Sequence, residues 1–237
     1  MRGYATRVIK IFFNWAYRRS HIDMSPAARF QTHPTSFRDR TLSAQELAEV
    51  WKLAQEGTSP FDAILSLLIL TGQRRSEIAG LQWSWIDEKA KLITLPSVIT
   101  KNRRLHCFPI GTMTLPILER QLRFVDNAYV FPAAKDRYNG KPATTFNGWG
   151  KSKVRFDQTL EKRGIILKPW TLHDLRRTFR TNWAEMGIIR EVAEKYINHV
   201  SGVHSGVSAI YERYSYLGEM RAAVGKWEQR LLALTKN

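Results

Sequence analysis

The chain has 237 residues, of which 43% are hydrophobic and eight are tryptophan, so it can bury a sizeable core and is not a disordered polymer. Lys and Arg number 37 against 21 Asp and Glu, a formal net charge of +16, which favours nucleic acid as the partner over the alternative of a merely basic protein. The single cysteine excludes an internal disulfide and a cysteine-rich zinc site. The longest apolar stretch, residues 63–70, is too short to span a membrane. We therefore expect a soluble cytoplasmic protein without membrane association.

The opening segment predicts one helix followed by a linker. Val8, Ile9 and Phe12 recur at helical spacing and indicate an amphipathic helix, and residues 25–40 form a polar stretch. Because one helix cannot bury its own apolar face, we predict that residues 1–37 are the end of a helical domain with its linker. Residues 38–237 are then the main domain.

The main domain begins with three predicted helices. Ser43 and Glu46 have capping-box spacing and start the first of these helices. A buried helix is predicted over residues 61–70, and Gly72 is suited to end it in a left-handed conformation. A short helix is predicted over residues 75–81.

Strand-like runs follow at residues 92–95, 98–100 and 105–110, separated by Pro96 and the polar turn 101–104. The rest of the chain predicts helices, one of them opened by a second capping-box pattern at Thr171 and Asp174. These helices cover approximately residues 114–123, 146–163, 172–185, 189–197 and 217–234. The predicted fold class is mainly α with a small antiparallel β-sheet.

Three segments carry residues suited to chemistry on an anion. In residues 71–78, Arg74 lies in the turn that follows the end of one predicted helix. His173 and Arg176 are three residues apart, so on a helix they share a face and can reach one anion together. The third segment contains His199, followed by the tyrosines at positions 211, 214 and 216.

In this order and spacing, the segments resemble the boxes of the tyrosine recombinase (phage integrase) family, and especially its prophage integrases. Those boxes are Thr-Gly-x-Arg-x-x-Glu, His-x-Leu-Arg-Arg, a later histidine and then a tyrosine. The resemblance extends from about Arg38 to Trp227, and residues 12–26 resemble the last helix of the family's SAM-like core-binding domain. The resemblance implies that Arg74 and Arg176 are the two catalytic arginines and that His173 and His199 are the two active-site histidines. It also implies that Lys101 is the general acid and that Tyr211 is the nucleophile.

The proposed chemistry needs these residue types. Attack on a phosphodiester builds charge on the non-bridging oxygens, which planar guanidinium groups can grip in pairs. A phenol needs nearby cations and a base to become a nucleophile, and the departing 5′ oxygen needs a proton. No metal or other cofactor is expected. The family's usual Leu-Gly-His is here Ile197-Asn198-His199, and Asn tolerates a left-handed turn better than most residues.

The resemblance implies site-specific DNA recombination through a 3′-phosphotyrosine intermediate. The implied partner is double-stranded DNA, on which the chain would assemble from monomers into a homotetramer, with accessory DNA-bending proteins. The C-terminal helix is expected to dock on a neighbouring protomer through Leu217, Val224, Trp227, Leu231 and Leu234. Two alternatives stay open: a type IB topoisomerase-like nicking-closing enzyme, and a catalytically inactive DNA-binding prophage remnant.

Overall fold

In the computed structural model, which describes residues 2–31, 39–134, 144–199 and 216–236, the chain divides into two units, residues 1–39 and residues 40–237. The first unit consists of helix α1 (Arg2–Arg18) and the turns that follow it. The ammonium group of Lys10 donates a hydrogen bond to the carbonyl of Phe30 at 3.0 Å. Phe12 and Trp15 are each about half exposed on this helix. The assignment of the first unit to a core-binding domain stays a prediction.

The second unit begins with helices α2 (Ala44–Glu56) and α3 (Pro60–Thr71). The predicted capping box at α2 is confirmed, because the backbone N–H of Ser43 donates to the Glu46 carboxylate at 2.8 Å while the Ser43 hydroxyl accepts from the Glu46 N–H. Helix α3 is apolar and buried along most of its length. It ends at Gly72, whose φ of 59° confirms the predicted left-handed cap, and a Cβ there would collide with the ring of Phe179.

A short helix, α4 (Arg75–Ala79), leads through a single 3₁₀ turn to a three-stranded antiparallel sheet. The strands are β1 (Ile86–Asp87), β2 (Leu92–Leu95) and β3 (His106–Pro109), in that order across the sheet. The predictions of β2 and β3 are confirmed, whereas β1 was not predicted. The strand predicted at residues 98–100 is wrong, because these residues form turns in which the N–H of Ile99 bonds back to the carbonyl of Pro96.

Five further helices complete the described part of the unit: α5 (Thr114–Glu119), α6 (Trp149–Lys162), α7 (Leu172–Glu185), α8 (Arg190–Tyr196) and α9 (Leu217–Thr235). The capping box at Thr171 and Asp174 is confirmed. Helix α6 begins later than predicted because the N–H of Phe146 donates to the carbonyl of Phe131 instead of entering a helix. The predicted fold class, mainly α with a small antiparallel sheet, is confirmed.

The core of the unit is built around aromatic rings from three helices. Phe179 and Trp183 of α7 pack on Tyr196 of α8, with ring centroids 4.6 to 5.7 Å apart. Trp227 of α9 joins this cluster, and its indole N–H donates to the carbonyl of Ile69 at 3.1 Å.

Helix α9 corrects one expectation. Val224, Trp227 and Leu231 are buried in the core of their own chain, so the prediction that these residues dock on a neighbouring protomer is wrong. The physical reason is that an apolar helical stripe is buried against the nearest apolar surface, here the packed helices of the same unit. Every helix among the described residues is too short or insufficiently apolar to cross a membrane.

Candidate active site

Arg74 stands at the start of α4, directly after the left-handed turn that ends α3. The buried carboxylate of Glu77 accepts hydrogen bonds from the Arg74 backbone N–H at 3.0 Å and from its guanidinium at 2.8 Å. The other terminal nitrogen of Arg74 donates to the carbonyl of Asn198 at 3.0 Å. Glu77 therefore orients Arg74, which is a structural role for this carboxylate.

Arg176 of α7 is more deeply buried, with 7% of its surface exposed. Its guanidinium donates to the carbonyl of Gly72 at 2.9 Å and to the carbonyl of Ile197 at 2.7 Å. It thus ties the end of α3 to the end of α8. Burial, followed by the nearby charge of Arg74, lowers the pKa of Arg176 to about 10, so the side chain remains a cation at neutral pH.

His173 and His199 lie within the field of both arginines. His173 is on α7, one turn before Arg176, and His199 follows α8, where its N–H donates to the carbonyl of Glu194 at 2.8 Å. Burial lowers the pKa of each histidine, with a further contribution from Arg176 in both cases. Both imidazoles are therefore neutral at neutral pH, and each can accept a proton or a hydrogen bond.

The loop between β2 and β3 reaches the same turn as His199. Asn198 has a left-handed φ of 54°, as its tolerance of that conformation predicted. The side-chain amides of Asn198 and Asn102 donate hydrogen bonds to each other, and the bond given by Asn198 is 3.1 Å long. Lys101 immediately precedes Asn102 and is exposed, so the loop that carries it is attached to the site through its neighbour.

Two buried residues of the site were missed from the sequence. The Gln73 amide donates to the carbonyl of Tyr196 at 2.8 Å, and its oxygen lies 3.2 Å from Nε2 of His106. His106 is 4% exposed, and burial, with added repulsion from Arg176 and Arg74, lowers its pKa to about 3. Gln73 occupies the unspecified position of its box and His106 lies within a strand, so neither had a motif to identify it.

The four tyrosines from position 196 onwards differ in their surroundings. The predicted nucleophile, Tyr211, lies outside the described residues, as does Tyr214. The ring of Tyr216 packs against the ammonium of Lys195, which lies 4.9 Å from the ring centroid. Tyr196 is completely buried and its hydroxyl donates to the carbonyl of Pro109 at 3.2 Å, so burial raises its pKa and leaves its hydroxyl inaccessible from the surface.

The structure thus brings Arg74, Arg176, His173 and His199 together where the ends of α3 and α8 meet α7. Two cations and two neutral imidazoles form a site suited to a phosphate group. Within the described ranges, His, Cys, Asp and Glu do not form a group of three or more that could hold a metal ion.

The fold is that of solved integrases. The structure of the Tn1549 transposon integrase in complex with transposon right end DNA aligns with a TM-score of 0.61 at 16% identity, covering 94% of this chain and 78% of that one. A lambda integrase dimer bound to a COC' core site aligns with a TM-score of 0.59 at 17% identity, covering 89% of this chain and 58% of that one. At these identities the likeness establishes the fold.

Sequence similarity establishes the family. Residues 40–214 match the phage integrase family, and the chain belongs to that family. It is 30% identical over 171 residues to the prophage integrase IntZ of Escherichia coli K12, and the aligned region covers 72% of this chain and 39% of IntZ. It is 28% identical over 190 residues to the tyrosine recombinase XerC of Xylella fastidiosa strain M23, and the aligned region covers 77% of this chain and 60% of XerC. The chain therefore matches less than two thirds of the length of these relatives.

Proposed function

We propose that this chain carries the catalytic site of a tyrosine site-specific DNA recombinase. The observation that carries the proposal is the convergence of Arg74 and Arg176 with two neutral histidines at one point of a phage-integrase-family fold. Guanidinium groups held by Glu77 and by backbone carbonyls are already oriented before the substrate arrives. Such preorganised cations stabilise the charge that develops on a phosphate during displacement.

The proposed reaction is a transesterification. The phenol oxygen of Tyr211 forms a bond to phosphorus, the bond from phosphorus to the 5′ oxygen breaks, and a 3′-phosphotyrosyl link results. Arg74 and Arg176 hold the non-bridging oxygens. His173 or His199, being neutral, accepts the proton that the phenol loses, since an unperturbed tyrosine has a pKa of about 10.

Lys101 is the proposed general acid, which gives a proton to the departing 5′ oxygen. A lysine ammonium is a flexible point charge on a long stem, so it can reach an oxygen that the fixed guanidinium groups do not. Its location supports this role, because its neighbour Asn102 is bonded to the turn that carries His199. In a later round, the free 5′ hydroxyl of a partner strand would attack the phosphotyrosine and reverse these proton transfers.

The proposed partner is double-stranded DNA, which the net charge of +16 favours. The solved complexes of the Tn1549 integrase and of lambda integrase with DNA support this partner. We further propose that the protein acts as a homotetramer on two DNA sites, and as a monomer off DNA, with accessory DNA-bending proteins at those sites.

A nicked suicide substrate tests the proposal. When the strand breaks, the short fragment after the cleavage point diffuses away, so the covalent adduct accumulates and can be digested for mass spectrometry. We expect an adduct on Tyr211 in the wild type, and for Tyr211→Phe we expect DNA binding without an adduct. Tyr216→Phe is the matched control and should still trap DNA.

The same assays separate the alternatives. A wild-type protein that binds DNA but forms no adduct would be an inactive DNA-binding remnant. An adduct together with supercoil relaxation, but without strand exchange between two sites, would indicate a nicking-closing enzyme. An adduct on a tyrosine other than Tyr211 would refute the assignment of the nucleophile.

A further inference from the structure

Asn198 occupies the position where the family usually has glycine, and three interactions meet there. Its carbonyl accepts a hydrogen bond from Arg74 at 3.0 Å, and its N–H donates to the carbonyl of Lys195 at 3.1 Å. Its side chain exchanges two hydrogen bonds with the amide of Asn102. Glycine could satisfy the left-handed φ of 54° and both backbone contacts, whereas only the asparagine side chain can reach Asn102.

The loop that receives this side chain is braced internally. The buried Thr100 hydroxyl lies 3.1 Å from the carbonyl of Ser97 and 2.8 Å from that of Arg104. The oxygen of the Asn102 side chain also accepts from the N–H of Arg104 at 3.3 Å. Lys101 therefore lies between two anchored residues, one held within the loop and one held to the His199 turn.

We infer that the Asn102–Asn198 pair is a positioning element for Lys101. The pair holds the loop between β2 and β3 against the turn that binds Arg74 and carries His199. An otherwise exposed lysine is thereby kept close to the groups that hold the phosphate, and the entropy cost of bringing it there at each turnover is reduced. This inference rests on the proposed function, because it concerns the delivery of the proton from Lys101 to the leaving oxygen.

The inference predicts a defect that depends on the leaving group. A 5′-bridging phosphorothiolate replaces the leaving oxygen with sulfur, which departs as an anion without needing a proton. On normal DNA, we expect Asn198→Gly and Asn102→Ala each to cleave about 10-fold more slowly than wild type, a smaller loss than the ~10²–10⁴-fold expected for Lys101→Ala. On the sulfur substrate, all three variants should recover most of the wild-type rate.

Two further variants complete the experiment. In the Lys101→Ala background, adding Asn198→Gly should cause no additional loss on normal DNA, because residues that act through one another have non-additive effects. Asp126→Gly is the control for the left-handed backbone, since Asp126 also has a left-handed φ, here 60°, but is exposed and lies in a different loop. It should cleave both substrates at the wild-type rate.

The outcomes separate this inference from the proposed function. If the wild type forms no adduct on either substrate, the proposed function fails and the inference fails with it. If the wild type cleaves and Asn198→Gly cleaves normal DNA at the wild-type rate, only the positioning role is overturned. An equal loss on both substrates also overturns it, because the pair would then support folding or phosphate binding instead of proton delivery.

Discussion

Acid should destabilise this protein through a buried histidine that has no assigned role in the reaction. His106 is 4% exposed, its Nε2 faces the oxygen of Gln73 at 3.2 Å, and its ring stacks on Phe108. Its pKa is about 3 in the folded chain, against an ordinary value of 6.5. Above pH 6.5 the imidazole is neutral in both the folded and the unfolded chain, so its contribution to stability is complete there.

Between pH 6.5 and about 3, the unfolded chain binds a proton that the folded chain does not. The free energy of unfolding therefore falls as the pH is lowered, by about 1.4 kcal/mol per pH unit. The full shift corresponds to roughly 5 kcal/mol, which is comparable with the ~5–15 kcal/mol that stabilises a typical domain. At a pH about 1.5 units below 6.5, the free energy of unfolding should be lower by ~2 kcal/mol, which lowers the urea concentration at the unfolding midpoint by about 1 M.

The measurement is urea unfolding, followed by tryptophan fluorescence, at a series of pH values for the wild type and His106→Gln. Glutamine has no titrating group and can still donate to Gln73, so its plot of unfolding free energy against pH should be shallower by about 1.4 kcal/mol per unit. Gln158→Ala, at an exposed position on α6 that carries no titrating group, should run parallel to the wild type. Parallel plots for the wild type and His106→Gln would refute the reasoning.

Three other predictions concern the site. Arg176→Lys keeps a cation but cannot span the Gly72 and Ile197 carbonyls, so we expect the free energy of unfolding to fall by ~1.5–3 kcal/mol and the melting temperature by roughly 3–12 °C. Cleavage should be slower by ~10²-fold, and an unchanged melting temperature would contradict this role of Arg176. The rate of adduct formation should fall as the pH drops below 6.5 and His173 and His199 gain protons, and a rate that rises on acidification would count against their neutral roles. DNA affinity should fall linearly with salt on logarithmic axes, whereas constant affinity between roughly 50 and 200 mM would exclude binding through phosphate contacts.

The elements that could be predicted from the sequence are those whose signals are local. Ser43 with Glu46, and Thr171 with Asp174, are three residues apart, and their capping bonds depend only on the geometry of one helical turn. Gly72 marked the end of a buried helix for a similarly local reason. The prediction at residues 98–100 failed because a run of three β-prone residues does not pair with a strand when Pro96 and the hydroxyl of Thr100 favour a turn.

The sequence by itself therefore determined the fold class, the family and the residue types available for phosphate chemistry. Tertiary structure decided which of these residues meet: Arg176 binds carbonyls 104 and 21 residues away, and Asn102 pairs with Asn198 across 96 residues. It also decided that α9 is buried in its own core and that His106 lies beside the arginines. The physical reason is that capping and periodicity act over one or two turns of chain, whereas burial and long-range hydrogen bonds arise only when whole elements pack.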